Sequence, residues 1–153
     1  MTRFEHTVVI ERPIEDVWAY VMEAANNPVW QGPMIEVRRP AGEPLELGSE
    51  IPEVASFLGK RFDLTLVVTE YEPRRRSAVR TASGPVRLEG SYRFDAVDEG
   101  RTRFSTEGAV EAAGFFKVAE PVFAGLARRE WASSCATLKN ILEAQGAGTA
   151  TAP

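Results

Sequence analysis

The amino-acid sequence predicts one α+β domain in which a curved antiparallel sheet of about seven strands wraps around a long C-terminal helix. Three observations support this prediction. Strand-like alternation recurs along residues 4–111, turn signals join most strands as hairpins, and one helical pattern runs from about residue 115 to residue 145. Hairpins make antiparallel neighbours. Only the final helix is long enough to cover one face of the sheet.

The first half of the chain predicts a strand, two short helices and the beginning of the sheet. Phe4 to Glu11 alternates as a strand, and Pro13 ends it and suits the first turn of a helix. Asn26-Asn27-Pro28 breaks that helix, and Trp30 lies in a second short helix or loop. Between later strands, Glu53 to Lys60 is expected to form a loop that acts as a lid. Six further strands are predicted at residues 35–39, 47–51, 61–72, 77–82, 86–97 and 101–111.

The C-terminal part of the chain predicts one long helix and a tail. The helix carries a broad apolar stripe that consists of Phe123, Leu126, Trp131, Leu138, Ile141 and Leu142. Residues 146–153 lack an apolar pattern and are expected to form a flexible tail. The sequence therefore predicts a single domain over residues 1–145 and a tail over residues 146–153.

The charge of the chain argues against nucleic-acid binding. Its 18 Lys and Arg residues stand against 22 Asp and Glu, which gives a net charge of −4, whereas phosphate contacts need a surplus of basic side chains. Cys135 is the single cysteine, so no internal disulfide can form, as suits a reducing compartment. No apolar run approaches the roughly 18 residues of a membrane span. We expect a cytoplasmic protein without an integral membrane segment, with a homodimer among the alternatives for its oligomeric state.

Motifs for metals and cofactors are lacking in the sequence. One histidine and one cysteine cannot supply a zinc site, and the carboxylates do not show the spacing of a calcium loop. The isolated glycines do not form a phosphate-binding loop. The sequence therefore predicts neither a metal site nor a cofactor.

Several motifs, in order along the chain, carry a resemblance to a known family. They are Val8-Val9-Ile10-Glu11-Arg12-Pro13-Ile14-Glu15-Asp16-Val17-Trp18, Asn26-Asn27-Pro28-Val29-Trp30, Val68-Thr69-Glu70-Tyr71-Glu72-Pro73, Tyr92-Arg93-Phe94 and Gly100-Arg101-Thr102-Arg103-Phe104. From Phe4 to about Leu142, the chain resembles the START-like (SRPBCC) superfamily and, within it, the polyketide cyclase/dehydrase family. The resemblance implies a helix-grip fold with an internal cavity between the sheet and the C-terminal helix.

The inward face of the predicted sheet is apolar. By alternation it carries Phe62, Leu64, Leu66, Val68, Leu88, Tyr92, Phe94 and Phe104. The resemblance implies that this face lines a ligand cavity rather than a filled core. Trp30 and Phe57 are expected near the mouth of that cavity, and Phe116 and Phe123 on its helix side. A few polar groups in such an apolar pocket would orient a small molecule.

Polar residues on the same faces are the candidates for ligand contact and chemistry. They are His6, Glu70, Tyr92 and Thr106 on the strands, with Glu130 and Ser134 on the helix. Tyr92 is a candidate acid, because a phenol in an apolar pocket can polarise a carbonyl, and His6 is a candidate base, because its ordinary pKa lies near neutrality. The structural alternatives are a core tyrosine, a packed histidine, a solvent-exposed position for Glu70 near its strand end and a surface ion pair for Glu130. A nucleophilic triad is not predicted.

Two functions remain open at this point. The first is a binding protein for a small hydrophobic molecule of polyketide, lipid or quinone type. The second is a polyketide cyclase or dehydratase that uses Tyr92 and His6 as acid and base. A third, an interaction domain that acts on another protein, finds no positive support in the pattern. A shared fold does not choose among them.

Overall fold

The structure, a computed structural model, describes residues 2–57, 59–112 and 120–150. In these ranges the strands are β1 (Thr2–Ile10), β2 (Met34–Val37), β3 (Glu50–Phe57), β4 (Lys60–Glu72), β5 (Arg76–Ser83), β6 (Val86–Asp98) and β7 (Arg101–Ala112). The helices are α1 (Ile14–Val21), a 3-10 turn (Ala24–Asn26), α2 (Asn27–Trp30) and α3 (Glu120–Ala150). The order of elements matches the order predicted from the sequence.

The strands form one antiparallel sheet in the order β1-β7-β6-β5-β4-β3-β2. Strands β2 to β7 lie side by side in chain order, and the last strand, β7, also pairs with the first strand, β1. The end of β1 lies beside α3, where Lys139 Nζ donates a hydrogen bond to the Val9 carbonyl over 2.6 Å. Arg12 Nη1 likewise donates to the Leu142 carbonyl over 2.6 Å. The predicted helix-grip arrangement of sheet and C-terminal helix is confirmed.

The space between sheet and helices is packed at one end. A cluster of fully or nearly buried side chains from all three helices and the strands β1, β6 and β7 consists of Ile10, Val17, Val21, Trp30, Phe94, Phe104, Cys135, Leu138 and Leu142. A second cluster lies toward β3 and β4 and consists of Ala24, Leu45, Ile51, Ala55, Leu64, Leu66 and Val68. The helices close over the first cluster, whereas the second cluster faces a hollow.

The predicted lid at Glu53 to Lys60 is wrong. Glu53 to Phe57 belongs to β3, which pairs along its length with β4, and β4 begins at Lys60. Gly59 adopts a φ of 74°, which favours glycine and allows the tight turn between the two strands. The physical reason is the alternation Ile51, Glu53, Ala55, whose side chains are all buried on the inner face of the sheet.

The end of the C-terminal helix also differs from the prediction. α3 continues to Ala150 rather than ending near Gln145, so residues 146–150 are helical. Local propensity does not explain this extension, because Gly146, Gly148 and Thr149 all disfavour helix. Gly146 also lies against Arg12, because a Cβ there would meet the Arg12 Cδ at 2.5 Å.

Within the described residues, no helix is both long enough and apolar enough to span a membrane.

Candidate functional site

A cavity of about 200 Å³ lies between the inner face of the sheet, α2 and α3. A single buried water needs only about 10–15 Å³ of such space, so the volume suits a small molecule. Apolar side chains dominate the wall. The residues that the sequence predicted for ligand contact and that line it are Phe57, Phe62, Leu64, Leu66, Val68, Leu88, Tyr92 and Glu130.

Gly90 creates part of this space. It lies between Leu88 and Tyr92 on β6, and all three line the cavity. A Cβ at Gly90 would meet only the Glu107 carbonyl oxygen, at 3.9 Å. Any side chain at this position would therefore extend from the sheet into the open volume.

Three predicted cavity residues belong to the packed end instead. Phe94, Phe104 and Trp30 are at most 2% exposed and do not line the cavity. The Trp30 ring lies 6.4 Å from that of Phe104 and 5.8 Å from that of Trp131. These aromatic rings pack against one another beside the cavity and form an aromatic cluster with Trp131.

Thr106 and Ser134 are buried, and their hydroxyl groups are engaged within the protein. The Trp131 indole N–H donates to Thr106 Oγ1, which ties α3 to β7. The backbone N–H of Gly32 donates to Ser134 Oγ over 3.0 Å, which ties α3 to the segment after α2. Both hydroxyls thus position α3, and neither residue lies on the cavity wall.

His6 and Glu70 lie away from the cavity. His6 pairs with Thr106 in the β1–β7 ladder and borders a separate polar groove with Arg76 and Arg93. Glu70 is exposed and forms an ion pair with Arg76. A register shift between Val68 and Glu70 breaks the alternation of β4, so Glu70 takes the exposed position that the sequence analysis gave as the alternative to ligand contact.

Two further predicted residues cannot be placed: Phe116 lies outside the described residues, as does the side chain of Phe123 in α3.

Tyr92 lies at the boundary between this aromatic cluster and the cavity. Its ring lies parallel to that of Trp131 at 6.2 Å and contacts the Phe104 ring at 5.3 Å. Gln31 Nε2 donates to the Tyr92 hydroxyl over 3.3 Å, which leaves the hydroxyl proton available as a donor. Burial raises the pKa of Tyr92 above its ordinary value, helped by nearby Cys135 and Glu53. The phenol therefore stays protonated at neutral pH.

Glu53 is a site residue that the sequence analysis missed. It lines the cavity, is 2% exposed, and its Oε2 has no hydrogen-bond partner among the described atoms. Asn27 Nδ2 donates weakly to Oε1 over 3.5 Å. Burial raises the pKa of Glu53 to about 7, against a smaller lowering by Asn27. The alternation of Ile51, Glu53 and Ala55 was the signal that could have found it.

The charged side chains of the cavity wall are all acidic. Among the described residues that line it, Glu53 and Glu130 are acidic and none is basic, whereas Glu107 is exposed and also borders the groove that holds Arg76. The described part of the chain also holds no group of three or more His, Cys, Asp or Glu side chains arranged to bind a metal ion.

A comparison with protein families places the chain. The family model described as "Polyketide cyclase / dehydrase and lipid transport" matches residues 1–143. The chain belongs to this family. No curated protein matches the chain significantly.

Solved structures share the fold of this family member. A protein from Thermus thermophilus has a TM-score of 0.77 at 18% identity, covering 94% of this chain and 98% of the other. A START superfamily protein from Mycobacterium smegmatis also has a TM-score of 0.77, at 15% identity over 95% and 99% of the two chains. The Zhui aromatase/cyclase from Streptomyces sp. R1128 has a TM-score of 0.69 at 21% identity over 92% and 93%.

Proposed function

We propose that the protein binds a small, largely apolar molecule of polyketide, lipid or quinone type in the cavity between the sheet and α3. The observation that carries this proposal is the apolar wall around a volume of about 200 Å³. The description of the family, which names cyclases, dehydrases and lipid transport, supports it.

The wall supplies a physical driving force for such a ligand. Each Å² of apolar surface removed from water contributes about 25 cal/mol. Association and the ordering of the ligand oppose this gain, so only the surplus appears as affinity. For a ligand of two or three rings we expect dissociation constants in the micromolar range, about −8 kcal/mol.

Titration with the neutral fluorophore N-phenyl-1-naphthylamine tests the proposal. We expect saturable one-to-one binding with enhanced probe fluorescence, because the cavity excludes water from the probe. Excitation of tryptophan should transfer energy to the probe, because Trp131 lines the cavity. Fluorescence that rises without saturation, or shows no transfer from tryptophan, would contradict an internal site.

A second candidate function is cyclisation or dehydration of a polyketide. The Tyr92 hydroxyl accepts a hydrogen bond from Gln31 and keeps its own proton free to polarise a substrate carbonyl. Glu53, with a pKa of about 7, can take or give a proton at neutral pH and replaces His6 as the candidate base of this cavity.

Tyr92→Phe separates catalysis from binding. If the cavity performs this chemistry, the variant should turn over a poly-β-ketone thioester more slowly while unfolding at nearly the wild-type temperature, because the ring stays packed. Tyr71→Phe is the matched control, since Tyr71 contacts Trp18 and lies outside the cavity. Turnover of Tyr92→Phe equal to that of wild type would remove Tyr92 from the mechanism.

A further inference from the structure

The cavity wall contains a buried acid, Glu53, one of whose carboxyl oxygens has no hydrogen-bond partner among the described atoms. Glu53 is 2% exposed, and Oε2 has no partner among the described atoms. The contact of Oε1 with Asn27 Nδ2, at 3.5 Å, lies beyond the usual range of an N–H···O hydrogen bond. A buried polar atom without a partner costs about 1–3 kcal/mol. Native proteins rarely keep such an atom, so this oxygen needs an explanation.

The described residues of the cavity wall offer no cation to this carboxyl. No lysine, arginine or histidine occurs among the described residues of the cavity wall, and Glu130 adds a further acidic group there. An anionic ligand such as a fatty acid would meet like charges in a medium of low dielectric constant. The site therefore favours a ligand without a carboxylate.

A hydroxyl group fits the polar end of the cavity. Glu53 supplies an acceptor, and Tyr92 keeps a proton to donate. Both residues line the cavity beside α2, where Asn27 contacts Glu53 and Gln31, one helical turn later, donates to Tyr92. A hydroxyl both donates and accepts, so it can satisfy both groups at once. A charged amine would lose far more hydration on entering the apolar wall.

We propose that Glu53 Oε2 is the polar anchor of the cavity and that the ligand is a small, largely apolar alcohol or phenol whose hydroxyl donates to it. This inference rests on the proposed binding function and narrows its ligand class. The apolar wall holds the body of the molecule, Glu53 accepts from its hydroxyl, and Tyr92 donates to the same oxygen. The orientation of the ligand follows, because its hydroxyl end lies toward α2.

Calorimetric titration with three naphthalenes tests this ligand class. 2-Naphthol carries the donor, 2-methoxynaphthalene keeps the ring and oxygen without the donor, and 2-naphthoate carries a charge. Wild type is compared with Glu53→Met, which removes the acceptor at similar size, and with Glu89→Met. Glu89 is a suitable control because it is an exposed strand carboxylate outside the cavity.

We expect wild type and Glu89→Met to prefer 2-naphthol over 2-methoxynaphthalene about tenfold, and 2-naphthoate to bind weakest. In Glu53→Met the preference should fall to about one, with 2-methoxynaphthalene still bound. If 2-methoxynaphthalene binds but Glu53→Met keeps the wild-type preference, or if 2-naphthoate binds tightest, the anchor is wrong and the binding function stands. If none of the three binds wild type, both proposals fail.

Discussion

Gly90→Leu is expected to abolish binding of N-phenyl-1-naphthylamine while the protein stays folded. Gly90 lines the cavity, and a Cβ at this position has open space around it. A leucine side chain therefore occupies the volume that the ligand needs rather than clashing with the protein. We expect the affinity to fall about 100-fold or more, since overlap in a packed site costs several kcal/mol. Probe titration of the variant measures this loss.

The stability of Gly90→Leu distinguishes a filled cavity from a damaged fold. Glycine is a poor residue within a strand, so its replacement should leave the unfolding temperature unchanged or higher. Gly125→Leu is the matched control, because Gly125 is exposed on α3 and a Cβ there meets nothing within 4 Å. The control should bind the probe like wild type. Wild-type affinity in a folded Gly90→Leu protein would mean that the probe binds elsewhere.

Glu53 is expected to make the protein less stable as the pH rises from 4.5 to 8. Its pKa is about 7 in the folded protein, against an ordinary value of 4.5. Below pH 4.5 both states carry the proton and no penalty arises. Between pH 4.5 and 7 only the unfolded state loses the proton, so the free energy of unfolding falls with pH. The fall levels off above pH 7, at about 3 kcal/mol.

Urea unfolding of wild type and Glu53→Gln between pH 4.5 and 8.5 measures this effect. The difference in unfolding free energy between the two proteins cancels the contributions of all unchanged groups. It should move in favour of Glu53→Gln by about 3 kcal/mol across the range. Glu89→Gln serves as the exposed control and should show a much smaller change. A difference that stays constant with pH would mean that Glu53 is hydrated or paired in the folded protein.

The sequence predicted the strands and the inward face of the sheet well, because alternation and turn residues are local signals. That alternation predicted the inward positions of Leu64, Leu66 and Leu88, all of which line the cavity. The pattern could not distinguish them from Phe94 and Phe104, which share the same face but lie beneath the helices. That division depends on where α1, α2 and α3 cross the sheet, which no local pattern encodes.

The polar residues of the site were harder to predict than its apolar wall. The bulge between Val68 and Glu70 reversed the direction of one candidate acid. Glu53 was assigned to a loop and was therefore missed as a site residue, although the strand that contains it alternates in the sequence. Whether a hydroxyl is free depends on tertiary partners, as the bond from Trp131 to Thr106 illustrates.

A crystal structure of the protein with N-phenyl-1-naphthylamine tests the central claim most directly. The account predicts electron density for the probe inside the domain, against Leu66 and Leu88 of the sheet and Trp131 of α3. Density for the probe only on the outer surface, such as in the groove that His6 borders, would contradict the claim. So would an interior in which side chains fill the space between the sheet and α3.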